Sequence, residues 1–155
     1  MIQRLQSLYL SLTILLPLLF LKGSFLTFID KSGSAIKITF NGIVKVTDTQ
    51  GFELVEKLLP LSTLIIVIPV LSLITLLLYK NRKIQKLFAV IIIVLASGLI
   101  VISAYYSFTI CNNYSTAVIL GVKMGIPILI LILSILAYNG IRKDDRLVKS
   151  YDRLR

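Results

Sequence analysis

Long apolar runs alternate with short polar stretches along this chain, and the alternation predicts four membrane-spanning helices over residues 5–21, 58–79, 87–108 and 117–138. The first run has 17 residues, about 26 Å as a helix, a little short of a ~30 Å hydrocarbon core, so flanking residues are expected to extend it. Each of the others has 22 residues, about 33 Å. Arg4 followed by an apolar stretch has the layout of a secretory signal peptide. The run is long for such a segment, however, and no Ala-x-Ala-like cleavage site follows it, so it reads as a retained span.

The polar stretches differ in kind. In the outer loop, 23–57, apolar and polar residues alternate, and Ser24–Ile29 and Ala35–Phe40 read as strands. Asn41-Gly42 then predicts a type I′ hairpin, pairing Phe40 with Ile43 and Ile38 with Lys45 and leaving neither face cleanly apolar. The expected fold is therefore an all-α membrane protein with a small β-hairpin or meander on its outer end. A dedicated ligand site in that ribbon is the lesser alternative. Glu53 and Glu56 are expected to cap or solvate the start of the second helix.

Pro60 suits the first turn of that helix, and Pro69 predicts a bend within it. The connection Lys80-Asn81-Arg82-Lys83-Ile84-Gln85-Lys86 is so short that the second and third helices must be antiparallel neighbours. Tyr105, Tyr106 and Phe108 close the third span where an interfacial aromatic belt belongs. A polar loop over 109–116 follows, with Cys111 as a small interfacial filler and Asn113-Tyr114-Ser115 as a formal glycosylation acceptor. Lys123 is the charge inside the fourth span; it either snorkels to the headgroups or contacts an ion or substrate. Gly121 and Gly125 suggest close helix approach there, and Pro127 a bend.

Composition narrows the chemistry. The chain is 57% apolar and 15% charged, with a mean hydropathy of +0.93, too apolar for an ordinary soluble domain of 155 residues. One cysteine rules out an internal disulfide framework. The lack of histidine removes the commonest metal ligand and general base, and no phosphate loop or dinucleotide fingerprint is present. No catalytic, cofactor or metal site is expected.

Charge sets the orientation. On one side stand eleven cations, Arg4, the connection's Lys80, Arg82, Lys83 and Lys86, and six in the last fourteen residues, against Asp144, Asp145 and Asp152. On the other side five lysines face four acids. The positive-inside rule then places both termini in the cytoplasm.

The tail, 142–155, carries more order than orientation requires. At 100° per residue Arg142, Arg146, Lys149 and Arg153 form one stripe, with Leu147, Tyr151 and Leu154 opposite and Gly140 as a place for the chain to change direction. Such a helix lies on anionic lipid of the inner leaflet or docks an acidic protein or a phosphate backbone, and nucleic acid ranks last among these. Asp144 and Asp145 mimic a carboxylate pair, but salt bridges to nearby cations are the simpler expectation.

Three segments, Met-Ile-Gln-Arg-Leu-Gln at Met1 to Gln6, Tyr-Lys-Asn-Arg-Lys-Ile-Gln at Tyr79 to Gln85, and Lys-Asp-Asp-Arg-Leu-Val-Lys-Ser-Tyr-Asp-Arg-Leu-Arg at Lys143 to Arg155, resemble a Bacteroidota integral membrane family, domain of unknown function 4293. Where that family tends to read Lys-Asp-Glu and then Arg-Ser-Ala-Asp-Arg-Leu-Arg, this chain has Asp145, Lys149 and Tyr151. The resemblance implies four spans, an inner-membrane location and a Gram-negative host, and no activity. The leading functional expectation is a non-enzymatic scaffold or accessory subunit that docks a partner through Lys80, Arg82, Lys83, Lys86, Arg142, Arg146, Lys149 and Arg153. The alternative is a small transporter or channel using Lys123.

Overall fold

A computed structural model describes residues 2–21, 23–29, 35–47, 51–114, 117–119 and 122–153. Among them are four helices, α1 (Ile2–Leu18), α2 (Leu59–Leu77), α3 (Arg82–Tyr114) and α4 (Ile126–Arg153). Strands β1 (Ser24–Ile29), β2 (Ala35–Thr39), β3 (Gly42–Thr47) and β4 (Gly51–Glu56) lie between α1 and α2, and β5 (Ala117–Ile119) lies between α3 and α4. α2, α3 and α4 are each long and apolar enough to cross a membrane, whereas the apolar stretch of α1, Leu5–Leu18, is shorter.

Each helix packs on its neighbour in sequence, and α1 closes the ring against α4. Ile65, Ile68, Ile92, Ala96, Leu99 and Ile130 fill the space between them, each 2% exposed or less. Dozens of large apolar side chains instead face outward, as expected where lipid rather than water surrounds the bundle. The β-branched residues of the loops assemble an antiparallel sheet in the order β4-β3-β2-β1-β5. It sits on one end of the bundle, where Phe20 and Phe25 meet edge to face at 4.7 Å and share a core with Leu26, Leu58, Ile110 and Ile126. The Ser62 hydroxyl, in the first turn of α2, donates to the Phe40 carbonyl at 2.6 Å and ties the hairpin to that helix.

Several sequence expectations are corrected. The hairpin turns on Phe40-Asn41 rather than Asn41-Gly42, so Ile38 faces Ile43 and Ile36 faces Lys45. Ile38 and Ile43 are both buried, and burying that pair outweighs the local preference of Asn-Gly for the turn, since a register change alters which residues face each other across the strands. Gly42 retains its purpose: its φ is +144°, and a Cβ there would run into the Glu56 carbonyl. Glu53 and Glu56 belong to β4, and α2 has no acid in its first turn.

The fourth apolar run is not helical from its start. Ala117–Ile119 pairs with the open edge of β1, a short β-branched run that hydropathy alone does not separate from helix. Helix begins at Ile126, making Pro127 an initiating rather than a bending residue. The chain is still helical at Gly140 and on to Arg153. The expected connection 80–86 is largely regular: Leu78–Lys80 form a 3-10 turn and α3 starts at Arg82. Most of the expected loop 109–116 continues α3 as far as Tyr114, where Cys111 is half-buried against the core beneath the sheet. Ser115 of the acceptor motif lies outside the described residues.

Candidate functional site

The end of the bundle opposite the sheet gathers most of the buried polarity. The buried seam of α4 runs Ile130, Ser134, Ala137, Ile141, Asp144, spacings of four and three that place a carboxylate where the core pattern calls for an apolar residue. Asp144 is 7% exposed, Gln6 on α1 7% and Gln85 on α3 6%. With Tyr79, Arg82 and Ser7 they line a cavity of about 140 Å³ whose apolar wall is Leu10, Leu76 and Ile141. Gln85 is held in place, its Nε2 donating to the Thr75 carbonyl of α2 at 3.2 Å. Gln6 is not: its Nε2 is buried without a hydrogen-bond partner, a costly state for an amide.

Gly140 makes that arrangement fit. A Cβ at this position would lie 2.7 Å from Gln6 Cγ, so the missing side chain lets α1 and α4 approach where Gln6 crosses between them. The glycine serves packing and not a change of direction. Gly125, by contrast, would meet nothing within 4 Å, so it makes no close helix approach, and Gly121 lies outside the described residues.

Around the cavity stands a basic rim. Lys86 of α3 donates to Asp145 Oδ2 of α4 at 2.6 Å, which joins the start of α3 to the end of α4. Asp145 therefore pairs across helices. Lys83, Arg142 and Arg146 are exposed beside this link, and Arg82 is half-buried. Lys80 ends the 3-10 turn, and Lys149 and Arg153 continue the helical repeat of α4; their side chains lie outside the described set. Leu147 and Val148, 44% and 42% exposed, prolong the inward face of α4 beyond the bundle's end.

Lys123 belongs to the opposite end. It sits in the 3-10 turn Val122–Gly125 ahead of α4, and its Nζ donates to the Leu19 carbonyl at 3.4 Å. The carbonyls ending a helix attract a cation, and Lys123 answers one just past α1.

The match to a family model runs from residue 2 to residue 154, and the model is described as a domain of unknown function (DUF4293). The chain belongs to the DUF4293 family. No curated protein and no solved structure matches it. For this DUF4293 chain the residues that sequence reasoning passed over are Gln6, Tyr79, Gln85 and the burial of Asp144. Two signals pointed to Gln85 and Asp144: the i, i+3 spacing of Arg82 and Gln85, and the core period of α4 carried one turn past its apolar run.

Proposed function

We propose that this protein is a four-span inner-membrane scaffold or accessory subunit, not an enzyme, with both termini in the cytoplasm, that docks an acidic partner through its basic end. The Lys86–Asp145 bridge carries the reading. It fastens the α2–α3 turn to the extension of α4, so cations distant in sequence form one face, with the exposed Arg142 and Arg146 directed away from the buried seam. α1 supports the fourth crossing through its outward stripe of Leu5, Leu8, Leu12, Leu15 and Leu19, each 37% exposed or more. Transport through Lys123 has less support, because that side chain caps a helix end.

The test is affinity purification from gently solubilised membranes, comparing the native chain with a variant carrying glutamine at Arg142, Arg146, Lys149 and Arg153. Truncation after Ile141 is the poorer choice, since it also removes Asp144 and Asp145. The expected result is an acidic co-purifying protein, weakened by salt and lost from the variant; the same co-purifying set from both forms sinks the docking reading.

A further inference from the structure

The cavity makes demands that no described residue meets. Gln6 Nε2 is a buried donor lacking an acceptor. Arg82 reaches the same space from the first turn of α3, where backbone N–H groups have no intrahelical partners and the helix dipole favours an anion. Across from them Asp144, nine-tenths buried, calls for a cation. Two opposite demands within about 140 Å³ suit one small molecule carrying both charges, and cavities of this size hold about six to ten non-hydrogen atoms.

We propose that the chamber binds a phosphoethanolamine group, its phosphate received by Arg82 and the Gln6 amide and its primary ammonium by Asp144. An ammonium that retains N–H donors can hydrogen-bond the carboxylate; a quaternary amine cannot. The group reaches this site as the headgroup of a membrane lipid or as a free phosphate ester. Tyr79, 63% exposed on the cavity's rim, and the apolar Leu10 and Leu76 beside it are compatible with either source. The inference depends on the membrane architecture but not on partner docking, which uses the outward face of α4, so a failed partner purification leaves it standing.

Two arms test it on the full-length chain. In nanodiscs of phosphatidylethanolamine or phosphatidylcholine, each mixed with phosphatidylglycerol, native mass spectrometry reads which lipid stays bound. In detergent, calorimetry reads titration with phosphoethanolamine and with phosphocholine. Retention of phosphatidylethanolamine over phosphatidylcholine establishes the lipid source; saturable binding of soluble phosphoethanolamine without lipid preference establishes the free one. In whichever arm responds, Asp144→Asn and Arg82→Gln should each weaken binding at least about tenfold. Gln6→Glu keeps the side chain's size but sets an acid against the phosphate, and should do the same. The proposal is overturned if neither arm discriminates ethanolamine from choline, or if folded variants bind as the native chain does.

Discussion

Gly140 and Gln6 illustrate how one missing side chain sets a local design. With a Cβ placed 2.7 Å from Gln6 Cγ, Gly140→Val should force α1 and α4 apart and destabilise the protein by about 1–3 kcal/mol, in the range of overpacked cores. A detergent-solubilised thermal melt checks this, and an unchanged midpoint would remove the packing role. Gly42 is constrained differently, by its φ of +144° and by the Glu56 carbonyl beside it. Gly42→Ala should therefore loosen the β3–β4 edge, read as faster amide exchange in those strands while the helices exchange as before.

At the scale of elements, the Lys86–Asp145 contact is a long-range link between two helix ends, with side chains 26% and 13% exposed. A double-mutant cycle of Lys86→Ala and Asp145→Ala should return a coupling on the order of 1 kcal/mol, shrinking as salt is added. A coupling of zero would mean that the Lys86–Asp145 pair does not hold the two segments together.

Elements also show what was legible in the sequence. The limits of β1 and nearly those of β2 followed from alternation, and α2 from an apolar run with Pro60 at its start, because each signal is local. The hairpin's register did not follow, since the burial of Ile38 with Ile43 overrode the turn dipeptide. β5 was read as helix because a three-residue apolar strand carries no period of its own, and it is defined by its partner β1. The basic residues were visible as a charge pattern. The chamber they surround was not, because Gln6, Gln85 and Asp144 come from three helices and converge only when those helices pack.

The whole molecule is polarised. Both loop regions on one side of the bundle contribute to a single sheet, through β1–β4 and β5, and the opposite end holds the polar chamber and the Lys86–Asp145 link. A mean hydropathy of +0.93 and outward apolar faces on all four helices give the bundle a bilayer as its solvent. In the proposed arrangement, charge asymmetry chooses which end faces inward. Site-directed labelling tests that claim most directly. In a Cys111→Ser background, single cysteines at Asn41, Lys83 and Arg146, all exposed positions, would be treated with a membrane-impermeant maleimide in right-side-out and inside-out vesicles. Four crossings with cytoplasmic termini require Asn41→Cys to label in right-side-out vesicles and Lys83→Cys and Arg146→Cys in inside-out ones; labelling of all three from the same side would contradict the account.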